Sequence, residues 1–104
     1  SLAVFAVPPK ALRFVALAGI DDEVASTGGS VTFEVYADTK QPGSQPELLA
    51  ASPLIGIKNC KSRWSFDHPL KPEFKELRLV VTDGGDGIAA DHADWVDAGF
   101  LIGR

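Results

Sequence analysis

The segment Val31–Asp38, with the sequence Val-Thr-Phe-Glu-Val-Tyr-Ala-Asp, decides the fold class of this chain. Apolar and polar residues alternate along its whole length, and the apolar set is Val31, Phe33, Val35 and Ala37. Successive side chains of a β-strand point to opposite faces of a sheet. The period of two therefore predicts an antiparallel strand with one buried face and one partly exposed face.

Strand patterns also lie on both sides of this segment, whereas helical periodicity is weak throughout. The runs with strand character are Leu2–Val7, Leu12–Ile20, Leu48–Ile57, Ser62–His68, Leu77–Thr82 and Val96–Ile102. Leu12–Ile20 is apolar apart from Arg13, which predicts a strand buried on both faces. Pro53 and Gly56 interrupt Leu48–Ile57, so this run predicts one or two short strands.

The terminal run predicts a strand with two alternating sets of residues. These sets are Val96, Ala98, Phe100 and Ile102 on one side and Asp97, Gly99 and Leu101 on the other. Ser62–His68 alternates in the same way, with Trp64 and Phe66 on its apolar side. Short strands separated by turn-forming residues, without a convincing helix, predict an all-β protein with the architecture of a β-sandwich.

Length and composition limit the possible functions. At 104 residues the chain is large enough for one domain with a single core. Its net charge of −4 argues against a nucleic acid or an anionic membrane as partner. The single cysteine, Cys60, cannot form an internal disulfide. No apolar run approaches the roughly 18 residues of a membrane-spanning helix, so no membrane insertion is expected.

Carboxylates concentrate in the segment Val81–Ala98. It contains five of the chain's 14 acidic residues, Asp83, Asp86, Asp91, Asp94 and Asp97. No lysine or arginine lies between Arg78 and Arg104. Because carboxylates need a cation, a polar ligand or a hydrogen-bond network, this segment is the first candidate for a functional site.

Three pieces of the sequence together resemble the NPCBM domain, also called carbohydrate-binding module family 51. They are Phe14–Glu23, Gly29–Asp38, and Leu77–Gly87 with Asp91–Ala98. The string Asp-His-Ala-Asp-Trp-Val-Asp-Ala at residues 91–98 is the most specific, and the resemblance extends from Leu12 to Ile102. It implies a galactose-binding-like β-sandwich of the jelly-roll type.

The resemblance also implies a function and a setting. Domains of this family bind sugars without catalysing a reaction, and they are usually attached to secreted or surface glycoside hydrolases. The implied ligands are glycans with terminal galactose or N-acetylgalactosamine, and the implied location is extracellular or periplasmic. The family pattern normally begins ahead of Ser1. We therefore expect residues 1–104 to be a single domain that lacks the N-terminal part of the pattern and is a fragment of a larger polypeptide.

The specific string supplies most of the predicted sugar-binding residues. Asp91 and His92 are preferred, because carboxylates and imidazole form hydrogen bonds with sugar hydroxyls. Asp94 and Trp95 complete the set, since an aromatic face packs on the C–H face of a pyranose. Tyr36, on the polar face of its strand, is a further stacking candidate. The alternative is a rigid loop in which the aspartates cap backbone N–H groups and Trp95 packs in the sandwich.

A structural calcium ion is the predicted cofactor, because it is typical of the wider fold and Ca²⁺ prefers oxygen ligands. The predicted ligands are Asp97, Asp22 and Asp21. The spacing of the aspartates is not that of an EF-hand loop. A solvated turn is the alternative for Asp21 and Asp22.

Catalysis finds little support in the sequence, and we expect no enzyme. Asp91 and His92 are adjacent, so on a strand they would point to opposite faces and could not act as a dyad. A glycosidase needs two suitably spaced carboxylates, but the chain is small for an enclosed catalytic cleft. The main alternative to sugar binding is a structural β-sandwich that mediates protein–protein contacts in a larger extracytoplasmic protein.

Overall fold

The computed structural model describes residues 2–20, 30–53, 55–56, 63–83 and 93–103, and these residues contain eight β-strands. In chain order they are β1 (Leu2–Ala6), β2 (Ala11–Ile20), β3 (Ser30–Asp38), β4 (Glu47–Ala51), β5 (Ile55–Gly56), β6 (Arg63–Pro69), β7 (Glu76–Asp83) and β8 (Ala93–Ile102). Within these ranges no residue is helical, and so no helix there has the length and apolarity that a membrane crossing requires.

The strands form two antiparallel sheets. The five-stranded sheet has the order β1-β7-β3-β4, and β5 pairs with the beginning of β3. The three-stranded sheet has the order β6-β2-β8. Two packed sheets around one core confirm the prediction of an all-β sandwich.

The core lies between the inner faces of the two sheets. Val31, Phe33 and Val35 are completely buried, so the alternation predicted for Val31–Asp38 is confirmed. The other sheet strands contribute Phe14, Ala16, Ala18, Phe66, Leu77, Leu79 and Val81. Full burial of a side chain the size of valine or phenylalanine stabilises a fold by roughly 1.5–3 kcal/mol, so this layer dominates the stability.

The prediction that Leu12–Ile20 is buried on both faces is wrong. In β2 Phe14, Ala16 and Ala18 face the core and are buried, whereas Val15 and Leu17 on the other face are only half-buried. Leu12, which lies at the register shift between Ala11 and Arg13, is 56% exposed. The reason is that the outer face of the three-stranded sheet has no third layer of described residues over it, so apolar side chains there remain in contact with solvent.

The sequence predicted one or two short strands in Leu48–Ile57, and the structure has two there, β4 and β5. Between them Ser52 keeps the chain beside β3. Its backbone N–H donates to the Phe33 carbonyl at 2.8 Å, and its Oγ accepts from the Phe33 N–H at 2.9 Å. The Ser52 side chain thus replaces a missing backbone acceptor in the sheet.

The antiparallel pairing defines two ends of the sandwich. The Ile20 end comprises the strand termini Ile20, Ser30, Asp83 and Ala93, and the Asp38 end comprises Ala11, Asp38, Glu76 and Ile102. At the Ile20 end, Ile20 pairs with Ala93 in one sheet, and Asp83 pairs with Val31 in the other.

The side of the sandwich at β1 and β8 is not closed by any of the described residues. Each of these two strands lies at the edge of its sheet among the strands that the structure describes. Phe5 pairs with the buried Leu77 and so faces inward, yet it is 42% exposed. Phe5 lines a small cavity of about 90 Å³ with Phe14, Ala98, Gly99 and Phe100. Apolar side chains of the core therefore meet solvent along this edge.

The turn after β3 is organised by Asp38. Its Oδ1 accepts a hydrogen bond from the Lys40 N–H at 2.8 Å and another from Ser44 Oγ at 2.9 Å. Lys40 adopts a positive φ of 62°, which few residues other than glycine tolerate. Asp38 is itself buried, and the hydrogen bond from Lys40 holds the pKa of its carboxyl below the ordinary value.

Candidate functional site

Four of the predicted site residues directly adjoin two paired strand ends. Asp21 and Asp22 follow the last residue of β2, and Asp91 and His92 precede the first residue of β8. These four residues lie outside the described part of the chain. The strand ends themselves, Ile20 and Ala93, are register partners. The chain therefore leaves β2 and enters β8 at one place, the Ile20 end of the three-stranded sheet.

Asp94 is the second residue of β8, and its backbone is the register partner of Gly19. Its neighbour Trp95 is the first residue of the string whose side chain is described, and it pairs with the buried Ala18. The predicted sugar-binding string therefore enters the sandwich along β8, beginning at the Ile20 end.

Trp95 packs between the two sheets. Its ring lies 5.3 Å from that of Phe33 at an interplanar angle of 80°, and 5.3 Å from that of Phe66 at 38°. Phe33 belongs to the five-stranded sheet and Phe66 to the three-stranded sheet, so Trp95 joins both. Edge-to-face aromatic pairs add about 0.5–1.5 kcal/mol beyond their buried area. The geometry supports the packing role of Trp95, and a sugar contact from the part of the ring that remains accessible stays a prediction.

A β-bulge between Trp95 and Asp97 places their side chains on opposite faces of β8. Leu17 pairs with Asp97 and Ala18 pairs with Trp95, so Val96 is an extra residue in β8. Val96 is 64% exposed. The alternation predicted for Val96–Ile102 therefore begins only after the bulge, where Ala98 and Phe100 pair with inward-facing Ala16 and Phe14.

Asp97 lies on the outer face of the three-stranded sheet and is exposed. In the described ranges, no three side chains of His, Cys, Asp or Glu come together as a possible metal site. The described residues alone therefore do not fit a calcium ion. Calcium binding stays a prediction that depends on Asp21 and Asp22, which lie outside the described residues, and on Asp97, the register partner of Leu17.

Tyr36 lies far from the Ile20 end. It is on the outer face of the five-stranded sheet, six residues beyond the start of β3, or roughly 20 Å along the strand. Its hydroxyl donates to Glu34 Oε1 at 3.0 Å, and this hydrogen bond raises the pKa of the Tyr36 phenol. The structure does not bring Tyr36 together with Trp95 or with the strand ends Ile20 and Ala93, and its stacking role stays a prediction.

The sequence interpretation missed a groove on the outer face of the three-stranded sheet, which we call the outer groove. It has a volume of about 430 Å³, and its outward-facing lining is formed by Val15, Leu17, Ser65, Asp67, Asp97 and Gly99. Asp67 Oδ1 accepts from Arg13 Nε at 2.6 Å. The sequence placed Asp97 with Gly99 on one side of the terminal strand and Arg13 within an otherwise apolar run, but no sequence signal brought these strands together on one face.

A second cavity, of about 540 Å³, lies at the Asp38 end. Its apolar lining includes Pro8, Leu70 and Phe74, and three lysines surround it, namely Lys10, Lys71 and Lys75. All three lysines are exposed. None of the predicted site residues lines this cavity, so its size alone does not make it the functional site.

Comparison with known proteins identifies the family. The model of the NPCBM/NEW2 domain matches residues 1–101. No curated protein matches the chain. Among solved structures, CBM51-2 with INT domains of Clostridium perfringens ZmpB, in complex with GlcNAc, is 31% identical with a TM-score of 0.74; the match covers 95% of this chain and 20% of that one.

Two further structures from Clostridium perfringens are similar. The CBM51 domain of GH95, in complex with methyl-galactose, is 29% identical with a TM-score of 0.74, covering 96% of this chain and 63% of that one. The structure of the M60 catalytic domain with CBM51-1 and CBM51-2 of ZmpB is 30% identical with a TM-score of 0.70, covering 95% of this chain and 9% of that one.

The chain spans less than two thirds of each of these solved structures, so it corresponds to one part of them. The family match extends over nearly all of its residues, and the sandwich agrees with the CBM51 domains in fold. This confirms the galactose-binding-like architecture expected from the string at residues 91–98. The chain belongs to the NPCBM/NEW2 family, a family of non-catalytic carbohydrate-binding modules, and is therefore not an enzyme.

Proposed function

We propose that this domain binds the terminal galactose-type sugar of a glycan at the Ile20 end of the sandwich. The observation that carries the proposal is the pairing of Ile20 with Ala93, the strand ends that adjoin Asp21 and His92. It supports one site at this end, in a chain that is 29% identical to a CBM51 domain solved with methyl-galactose.

Asp91 and His92 are the proposed hydrogen-bonding residues. A carboxylate accepts hydrogen bonds from two neighbouring sugar hydroxyls, and an imidazole can both donate and accept. Such bonds orient the sugar, while its C–H face requires an apolar or aromatic surface. Trp95, three residues after His92 in the sequence, gives this end of the sandwich a rigid aromatic residue, because its ring is held between Phe33 and Phe66.

We further propose that the domain directs an attached catalytic domain to its glycan outside the cytoplasm. The solved structure of ZmpB that contains an M60 catalytic domain together with two CBM51 domains supports this arrangement. A weak sugar site is sufficient for such a role, because it raises the effective concentration of the attached domain near the glycan.

The proposal is tested by a glycan array followed by calorimetric titration with methyl-galactose, N-acetylgalactosamine and GlcNAc. We expect binding to a galactose-type terminus and at least a tenfold loss, about 1.4 kcal/mol, in Asp91→Asn and in His92→Ala. Glu73→Gln is the matched control, because it removes one negative charge at the exposed opposite end. Absence of binding to every galactose-type glycan contradicts the proposal.

The alternative function, a structural sandwich that contacts other proteins, has one supporting observation. The edge strand β1 carries no charged residue, and Leu2 and Val4 are 60% and 51% exposed. Uncharged edge strands readily pair with another chain. This alternative predicts that the protein associates through β1 and that Asp91→Asn does not change this association. The sugar-site proposal predicts that Asp91→Asn weakens sugar binding and that substitutions in β1 do not.

A further inference from the structure

We propose that the outer groove is a second subsite, which binds the interior sugars of an extended neutral glycan. This inference rests on the proposed function, because the terminal sugar would occupy the Ile20 end. Leu17, in the groove, lies three residues from Ile20 along β2, or about 10 Å. An oligosaccharide of a few residues can therefore reach from the Ile20 end into the groove.

The floor of the groove is apolar and open. Val15 and Leu17 are half-buried and form the floor, and Gly99 is the register partner of Val15. A Cβ at Gly99 would meet no atom within 4 Å. The absence of a side chain there leaves room above Val15 for a flat, rigid ligand. Two aliphatic side chains side by side present the surface on which the C–H face of a pyranose packs.

The two walls of the groove carry hydrogen-bonding groups. Ser65 and Asp67 on β6 form one wall, and Asp97 on β8 forms the other. Arg13 holds the Asp67 carboxylate in position through the 2.6 Å contact of its Nε with Oδ1. The remaining lone pairs of both carboxylates can accept hydrogen bonds from hydroxyl groups. Acceptors on both sides of an apolar floor match a chain of neutral sugars.

The charge of the groove selects against anionic glycans. Asp67 and Asp97 are both acidic, and no lysine or arginine is among the described residues that line it. Arg13 compensates only one of the two carboxylates. A sialylated or sulfated sugar would place a like charge against Asp97, which costs binding energy, so the expected ligand is neutral.

The bulge at Val96 is what makes Asp97 available to the groove. In a regular strand Trp95 and Asp97 would share one face. The extra residue turns Trp95 into the core and leaves Asp97 outside, opposite Leu17. Bulges commonly re-aim a side chain beside a binding site. The same feature thus fixes the base of the terminal-sugar site and supplies one wall of the groove.

The test compares ligands of two lengths on two proteins. The whole 104-residue chain is titrated with methyl-galactose and with a neutral linear tetrasaccharide that ends in galactose. In the wild type we expect the tetrasaccharide to bind about tenfold more tightly, or 1.4 kcal/mol. Gly99→Leu fills the groove without meeting a neighbouring atom at its Cβ. It should lower the affinity ratio, tetrasaccharide over methyl-galactose, to about one while leaving the affinity for methyl-galactose unchanged.

A second variant and a second readout make the result decisive. Asp97→Asn should reduce the ratio without filling the groove, and a sialylated tetrasaccharide should show no gain over methyl-galactose. If methyl-galactose binds but the wild-type ratio is near one, or if Gly99→Leu leaves the ratio unaltered, the groove proposal is overturned. If methyl-galactose does not bind at all, the proposed function fails. The groove is then tested separately by the NMR chemical shifts of the Val15 and Leu17 methyl groups on addition of the tetrasaccharide. If these methyl groups do not shift, the groove proposal is overturned.

Discussion

Trp95 and Asp97 point to opposite faces of β8, although only one residue separates them. Asp97 is the register partner of Leu17 on the outer face, and Trp95 is the partner of buried Ala18 on the inner face. Val96 is the extra residue that permits this arrangement. The aromatic anchor of the core and the acidic wall of the outer groove therefore depend on one local irregularity.

The anchoring role of Trp95 predicts a large effect on stability. Trp95→Ala removes the ring contacts with Phe33 and Phe66 and leaves a void between the sheets, so we expect a loss of about 3 kcal/mol in the free energy of unfolding. Urea denaturation measures it. Val96→Ala, at the exposed neighbouring position, is the control and should change stability by less than about 0.5 kcal/mol. Equal effects of the two substitutions would contradict the anchoring role.

Asp38 predicts a defined dependence of stability on pH. Hydrogen bonds from the Lys40 N–H and from Ser44 lower the pKa of its carboxyl below the ordinary 3.8. A group whose folded pKa is depressed stabilises the fold above its unfolded pKa, and this contribution is lost as pH falls through the folded pKa. We therefore expect wild type to exceed Asp38→Asn in stability at pH 7 and the difference to shrink below about pH 4.

The measurement for Asp38 is chemical denaturation of both proteins between pH 7 and pH 2. Glu47→Gln provides the control, since Glu47 is exposed at the start of β4. A difference between wild type and Asp38→Asn that stays constant over this range would show that the charge of Asp38 plays no part in the turn.

The open side of the sandwich predicts self-association of the isolated domain. Leu2 and Val4 are exposed on an edge strand without a charged residue, and such edges pair with one another. Val4→Glu places a carboxylate directly opposite Arg78, a favourable cross-strand pair that adds charge to the edge. Sedimentation should detect association of the wild type at high concentration and a monomer for Val4→Glu. A wild type that remains monomeric at millimolar concentration contradicts this prediction.

Calcium binding is a separate prediction for Asp21, Asp22 and Asp97. An ion that binds only the folded state at 100 times its Kd stabilises it by about 2.7 kcal/mol. Each kcal/mol raises Tm by about 4 °C or more in a domain of this size. We expect calcium, but not magnesium, to raise Tm, and the double variant Asp21→Asn and Asp22→Asn to lose the effect. The same Tm in calcium and in EDTA rules the ion out.

The sequence predicted the strands better than it predicted their faces. Val31–Asp38 alternates cleanly, so its buried face followed directly from the spacing of its residues. β2 has apolar residues on both faces, and no periodic signal tells Val15 and Leu17 from Phe14 and Ala16. What distinguishes them is that no layer of described residues covers the outer face of the three-stranded sheet, and that is a property of the assembled sandwich.

The candidate site was predictable only in part, for a related reason. The string at residues 91–98 resembles a known family, and this resemblance identified Asp91 and His92 as candidates. The bulge at Val96 could not be predicted, because it exists only in the register between β8 and β2. Asp67 and Asp97 lie 30 positions apart in the sequence and face one groove only after three strands have paired.

Calorimetric titration of the domain with methyl-galactose is the decisive measurement for a galactose-type sugar site at the Ile20 end, with Asp91→Asn and Glu73→Gln measured alongside. We expect saturable binding by the wild type and by Glu73→Gln, and at least a tenfold weaker affinity for Asp91→Asn. Equal affinity in all three proteins, or no binding by the wild type, would contradict it.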